Sequence, residues 1–284
     1  MEKEVVIMRG EEVAEAIYEK ISKGKANSQK KIKLVILLVG NNPASLIYIK
    51  QKIKACEKLG FECQLEHLKN PEEVSTKSLI KKIEEFNNDE EVTGIIVQMP
   101  LPEHINKTEI LAAIDRKKDV DGLNPFNMGQ TFLGVEFEDL TPCTATGVIR
   151  MMEYYQVELV GKKVVVIGSG NIAGKPTAMM MSNRKATVTV CNSKTVNLKE
   201  ITLGADVIVV AVGQKCLLMS DMVKKGAVVV DIGINRNEDG SLCGDSEYEK
   251  LLDKVKAITP VPGGVGKMTV ACLMENLAKA GQII

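Results

Sequence analysis

The stretch that most restricts how this chain can fold runs from Gly161 to Pro176: Gly-Lys-Lys-Val-Val-Val-Ile-Gly-Ser-Gly-Asn-Ile-Ala-Gly-Lys-Pro. Val164 to Ile167 is an unbroken β-branched run, the composition of a strand covered on both faces. Gly168, Gly170 and Ala173 then fit G-x-G-x-x-G/A. In that pattern the first glycine permits a tight turn and the second lets a pyrophosphate reach the backbone. The small third residue lets helix and strand pack closely. The helix that follows points unpaired N–H groups and a positive dipole end at the phosphate. A glycine-rich strand–helix turn with no ligand has the same spacing, so the neighbouring chain must decide.

Thr187-Val-Thr-Val190 reads as the next strand, where a second Rossmann strand should fall. Such a strand normally ends in Asp or Glu, which holds the ribose 2′-hydroxyl of NAD. Here it ends Cys191-Asn192-Ser193-Lys194. No carboxylate stands there to repel a 2′-phosphate, and Ser193 and Lys194 are suited to bind one. The expectation is NADP, with NAD open.

A chain of 284 residues suggests two domains, each with a core of its own. Its net charge is zero and its aromatic content only 4%, which argues against a nucleic-acid or anionic-membrane surface built on bulk charge. The N-terminal residues lack the apolar core of a signal peptide, and the run Val207 to Gly213 is too short to span a bilayer. A cytoplasmic protein without membrane or nucleic-acid partners is expected. The 7 Cys are scattered without a C-x-x-C pair, and the His are two, His67 and His104. Reduced core cysteines and no metal site are expected.

Taken in order, the first half alternates strand and helix. Glu11 to Ile21 has helical periodicity, and Lys33 to Val39 reads as a buried strand. Asn42 is a natural N-cap with Pro43 at the first helical position, and Gly60 is a stop after Leu59. Phe61 to Leu68 reads as a strand, Ser75 to Phe86 as a helix, and Thr93 to Met99 as a buried strand. Asn106 caps a short helix before the charged turn Asp115 to Gly122. Asn124 to Asp139 has little periodicity and reads as a linker, and Thr144 to Tyr155 as a bridging helix. The second half repeats the logic with strands near 163–168, 187–191, 206–211, 227–232 and 256–258. A glycine-lined loop, Pro260 to Gly266, precedes a last helix from Met268 to Ala280. The fold class is therefore α/β: an N-terminal parallel-sheet domain and a Rossmann-type dinucleotide-binding domain.

Tyr48 and Lys52 are four apart on the predicted helix and share a face. The helix also carries Lys50, Lys54 and Lys58, which read as ordinary solvated residues. Lys52 differs because its face-mate is aromatic. A planar heterocycle could stack on Tyr48 while the amine reaches its edge, and a partly desolvated amine can exchange protons near neutrality. Gln98 falls at the carboxyl end of a strand, where open α/β sheets place ligands. A loop-capping amide is the plain alternative for Gln98, and a solvated carboxylate is the plain alternative for Asp121.

Five segments together are specific. Ser45-Leu-Ile-Tyr48-Ile-Lys-Gln-Lys52, Gly94-Ile-Ile-Val-Gln-Met-Pro-Leu-Pro102 and Lys118-Asp-Val-Asp-Gly122 lie in the first half. Thr141-Pro-Cys-Thr144 and Thr259-Pro-Val-Pro-Gly-Gly-Val-Gly266 follow. In order and spacing the chain resembles the bifunctional methylenetetrahydrofolate dehydrogenase/methenyltetrahydrofolate cyclohydrolase family. The resemblance implies two α/β domains enclosing a cleft, with residues 1–143, completed by the C-terminal helix 268–284, binding folate and residues 144–267 binding NAD(P). It implies that Tyr48 stacks on the folate, that Lys52 is the key cyclohydrolase residue tuned by Gln98, and that Asp121 binds the pterin. Val97 and Met99 would line the substrate, and the Pro262-Gly263-Gly264 loop would close over it. Thr144, Gly168, Ser169, Gly170, Ser193, Val212, Gly213, Ile234 and Thr269 would contact the cofactor. The last helix would pack on the first domain, and the protein would be a homodimer.

The chain departs from the family on one side. The usual Gly-Arg-Ser phosphate turn is Gly168-Ser169-Gly170, which removes a charge-assisted phosphate contact. The usual His-Ser after the second strand is Asn192-Ser193, and the usual Pro-Met-Thr is Lys267-Met268-Thr269. Lys267 could replace part of the lost charge. An alternative is therefore a cyclohydrolase with weak or NAD-shifted dehydrogenase activity. Two lesser alternatives are a shikimate-type dehydrogenase of another small acid, separable by substrate, and a non-catalytic nucleotide sensor, which would give no reason for Lys52.

Overall fold

The computed structural model describes residues 4–135 and 140–284. They form β1 (Val6–Ile7), α1 (Gly10–Ala26), β2 (Lys33–Val39), α2 (Pro43–Leu59), β3 (Glu62–Leu68) and α3 (Thr76–Asn87). Next come β4 (Gly94–Val97), α4 (Lys107–Ala113), α5 (Pro125–Leu133), α6 (Cys143–Tyr154), β5 (Lys163–Ile167) and α7 (Gly174–Asn183). The chain continues through β6 (Thr187–Cys191), α8 (Leu198–Leu203), β7 (Val207–Val210), β8 (Val228–Asp231) and β9 (Asn235–Arg236). It ends with β10 (Leu242–Cys243), α9 (Tyr248–Leu251), β11 (Ala257–Ile258) and α10 (Val265–Ala280).

Two compact units result, one of residues 16–143 with 270–284, the other of residues 1–15 with 144–269. In the first, β2 lies between β3 and β4 in a parallel sheet, with Leu37 opposite both Glu66 and Val97. Its apolar run is buried on both faces; on one of them Val35, Leu37 and Val39 pack with Leu79, Ile83 and Ile110. Capping fixes the helices around this sheet. Asn42 Oδ1 accepts from the N–H groups of Ala44 (3.0 Å) and Ser45 (3.1 Å), and Gly60 ends α2 at φ 65°. Ser75 and Ser78 form a reciprocal cap on α3.

The expected linker from Asn124 to Asp139 is corrected by α5. Asn124 Oδ1 accepts from Phe126 N–H at 2.8 Å, with Pro125 at the first helical position. The helix buries Asn127 and Thr131, so its inner face is polar and shows no apolar stripe. Glu136, Phe137, Glu138 and Asp139, the rest of that expected linker, lie outside the described residues.

In the second unit the strand order is β1-β11-β8-β7-β5-β6, every pair parallel. From β5 the chain steps outward to β6, then crosses back to β7. The carboxyl ends of β5 and β7 therefore flank a topological switch point, the place where open α/β sheets bind ligands. Residues 1–15, expected with the first half, cluster here instead, because β1 pairs with β11. Helix α10 starts at Val265, inside the expected Pro260 to Gly266 loop. The close approach at the β5–α7 turn is made by Gly174 rather than Ala173: a Cβ on Gly174 would collide with the Gly168 carbonyl.

Candidate active site

Lys52 projects from the middle of α2 and is 6% exposed, whereas Lys50, Lys54 and Lys58 are exposed. Its Nζ donates to Gln98 Oε1 at 3.0 Å. Gln98 follows β4 directly and extends its ladder, donating its backbone N–H to Leu37 O at 2.9 Å. Its side-chain Nε2 donates to Met99 O at 2.8 Å, and Ser45 Oγ donates to the same carbonyl at 3.1 Å. The amide is thus locked with its oxygen toward the amine. Val97 is buried just before it. Tyr48, one turn before Lys52, is half-buried, and burial raises its phenol above the ordinary value. An amine out of water with an amide acceptor, beside a ring, is the arrangement general acid–base chemistry uses.

The Asp121 corner belongs to the same unit. Lys118 Nζ ties it to the end of α3 through the carbonyls of Phe86 (3.1 Å), Asn87 (2.8 Å) and Asp89 (2.6 Å). Asp119 is fully buried; its Oδ2 accepts from Asn124 N–H (2.7 Å) and Asn127 Nδ2 (2.8 Å). Burial nevertheless pushes its carboxyl up to about 6. Asp121 is half-buried and its carbonyl accepts from Cys143 N–H at 3.2 Å. Burial raises the Cys143 thiol well above its usual value, the Asp121 charge adds to this, and Lys52 opposes it. The fields of Asp121 and Lys52 therefore meet on one thiol. From α10, Asn276 Nδ2 donates to Thr141 O (2.8 Å) and Val120 O (3.0 Å), with Cys143 Sγ at 3.4 Å.

The other predicted residues lie in the second unit. Gly168 turns at φ 118°, and a Cβ there would strike the Ala211 carbonyl. Gly170 faces open space. Ser169 is half-buried and Ser193 exposed. Asn192 Oδ1 accepts from Lys194 N–H at 2.9 Å, closing a tight turn. Val212 and Ile234 are each 39% exposed and Gly213 is exposed at φ 68°. Thr144 and Thr269 meet through their hydroxyls at 3.4 Å. The Pro262-Gly263-Gly264 loop is anchored where Gly10 N–H donates to Gly263 O at 2.9 Å. An open glycine at the switch point, flanked by exposed apolar residues, fits a dinucleotide.

A model of the tetrahydrofolate dehydrogenase/cyclohydrolase catalytic domain matches residues 8–121, and one of the NAD(P)-binding domain of the same enzymes matches residues 142–283. The chain belongs to the tetrahydrofolate dehydrogenase/cyclohydrolase family. The bifunctional protein FolD of Streptococcus thermophilus is 43% identical over 279 residues, 97% of each chain. The crystal structure of the bifunctional FolD enzyme from Campylobacter jejuni matches with TM-score 0.93 at 43% identity, covering 98% of this chain and 99% of that one. The Trypanosoma brucei enzyme, solved with NADP cofactor and inhibitor, matches with TM-score 0.92 at 33% identity, covering 99% and 98%.

Within this family the departures can be located. Lys267 Nζ lies 3.2 Å from Glu11 Oε1, so its charge is paired. Lys175 Nζ donates to Asn171 Oδ1 at 2.9 Å, which holds a cation against the turn that lacks the usual arginine. Lys175 and Asn276 were not among the residues expected from sequence. Lys175 lies two residues beyond the glycine motif, within the Gly161 to Pro176 stretch, and is legible there as a cation. Asn276 could have been found as an amide interrupting the apolar run of the last helix.

Proposed function

We propose that the chain oxidises 5,10-methylenetetrahydrofolate to 5,10-methenyltetrahydrofolate with NADP, then hydrolyses that cation to 10-formyltetrahydrofolate. In the first step a methylene C–H bond breaks and its electron pair leaves as hydride, which the nicotinamide ring accepts when bound. The two folate nitrogens delocalise the resulting charge, so the protein's task is alignment. In the second step water adds to the methenyl carbon, loses a proton, and one C–N bond breaks. Lys52, poised by Gln98, moves the proton; Tyr48 stacks on the ring system and Asp121 binds the pterin. Val97, Met99 and Pro262–Gly264 line the substrate. Thr144, Gly168, Ser169, Gly170, Ser193, Val212, Gly213, Ile234 and Thr269 hold the cofactor.

The observation that carries this reading is the buried Lys52 amine 3.0 Å from Gln98 Oε1. The family model and the NADP-bound relative support the cofactor. The test is an absorbance assay with methylenetetrahydrofolate and NADP, followed by methenyl hydrolysis. Loss of neither activity in Lys52→Ala would remove the lysine's role.

Ser169 in place of the family's arginine favours a second reading, a cyclohydrolase with weak or NAD-shifted dehydrogenase activity. Kinetics with both nicotinamide cofactors separate the two: hydrolysis with no hydride transfer to either selects the second. A homodimer is proposed on the family resemblance and on edge strand β6, whose Val190 is exposed; sedimentation tests it. No helix among the described residues is long and apolar enough to cross a membrane. A cytoplasmic location is proposed with it, and cell fractionation tests that.

A further inference from the structure

Two buried carboxylates in the NAD(P)-binding unit are not used by the chemistry above. Asp231, 2% exposed, ends β8 and accepts from the N–H groups of Gly233 (2.9 Å), Asp245 (3.0 Å) and Ser246 (2.8 Å), and from Ser246 Oγ (2.5 Å). Asp245, 0% exposed, follows β10. Its Oδ2 accepts from the N–H groups of Val212 (2.7 Å) and Gly213 (3.0 Å), and its Oδ1 from Asn235 Nδ2 (2.8 Å). The two segments are interlocked. A Cβ on Gly233 would collide with the Asp245 carboxylate, and one on Gly244 with that of Asp231.

What Asp245 holds is one lip of the switch point. Val212–Gly213 leaves the carboxyl end of β7, and the Gly168 turn leaves the neighbouring β5. The backbone N–H groups of Val212 and Gly213 are committed inward to Asp245, so they are not offered to a phosphate. The outward surface is the Val212 side chain, with Ile234 beside Asn235 at the next strand end, both 39% exposed. An apolar lip with its donors turned away suits the face of a flat ring.

We infer that Asp245 is a positioning residue of the cofactor site: one oxygen sets Val212–Gly213, and the other, through Asn235, sets Ile234. Asp231 fixes Asp245 in turn through its backbone. This rests on the reading of the unit as NADP-binding, and the wild-type protein tests that reading separately.

The experiment measures KM for NADP, kcat, cyclohydrolase rate and melting temperature in full-length Asp245→Ala, Asn235→Ala and Ser246→Ala. Asp245→Ala should raise KM for NADP by about tenfold to a hundredfold, with kcat and hydrolysis near wild type. Asn235→Ala should raise it by about threefold, since only the Ile234 arm is lost. Ser246→Ala, which weakens the same buried cluster without touching Val212–Gly213, should lower the melting temperature and leave KM alone. A wild-type KM in Asp245→Ala overturns the inference, as does an equal rise in Ser246→Ala. If Asp245→Ala does not fold, a wild-type KM in Asn235→Ala overturns it. A wild-type protein that neither reduces nor binds NADP removes the functional reading and this inference together.

Discussion

A single amine among four lysines of α2 carries the proposed hydrolysis, and its surroundings say what removing it should do. Lys52 is buried against one neutral acceptor, so its charge is a cost to folding as well as a tool. Lys52→Met should therefore lose methenyl hydrolysis by about a hundredfold or more while melting no lower than wild type. A variant that is inactive only because it unfolds would contradict this, and thermal melts decide. Asp119 allows a second test. Its carboxyl is raised from 3.8 to about 6 by burial, so between those values the folded chain keeps a proton that the unfolded chain has lost. Stability from this group must fall as pH rises from about 4 to about 6, by about 3 kcal/mol at most, and stay flat above. Asp119→Asn should lack that slope in denaturant melts at about pH 4.5 and about pH 7.5; parallel pH profiles would refute it. Lys52 and Gln98 were legible because their types, a helical spacing and a strand end all pointed to the same chemistry. Asn276 and Asp245 were not, because their main partners are backbone atoms, and a carbonyl or N–H leaves no letter in a sequence.

Helices and strands were legible where one side is apolar or a cap is unambiguous. Asn42-Pro43 marks the start of α2 to the residue, whereas the same pair at Asn124-Pro125 precedes a helix that periodicity does not reveal. The reason lies in what each helix buries. α2 turns Ile49, Ala55 and Leu59 inward, whereas α5 turns Asn127 and Thr131 inward, so the periodicity that signals a helix is absent from α5. Strands β1, β9 and β10, of 2 residues each, are too short to show alternation. The two Asn caps also differ in load. Asn42→Ala should cost about 1 kcal/mol of unfolding free energy, the usual value of a cap. Asn124→Ala should cost about 2 kcal/mol, because Nδ2 of Asn124 also donates to Ile114 O at 2.8 Å in the interior. Equal losses in urea titrations would mean the interior bond contributes nothing.

At the scale of the molecule, the two sheets place the lysine site and the dinucleotide turn in different units. The activities should be separable by single substitutions. Gly174→Ala forces a Cβ into the Gly168 carbonyl and should lower NADP-dependent oxidation by about a hundredfold, with methenyl hydrolysis retained. Loss of both activities at an unchanged melting temperature would contradict that. The alternation of elements made an α/β chain in two parts legible. Which segments belong together was less so, because the pairing of β1 with β11 and the reach of Asn276 to Val120, 156 positions away, are set by packing across the sequence. That last link has a consequence for how the protein comes into being. The ribosome delivers residues 16–143 early, but the amide that ties Thr141 to Val120 arrives only with residues 270–284. Until then the nascent lysine unit must wait with a corner unsewn, and it is completed only after the whole of residues 144–269 has been made.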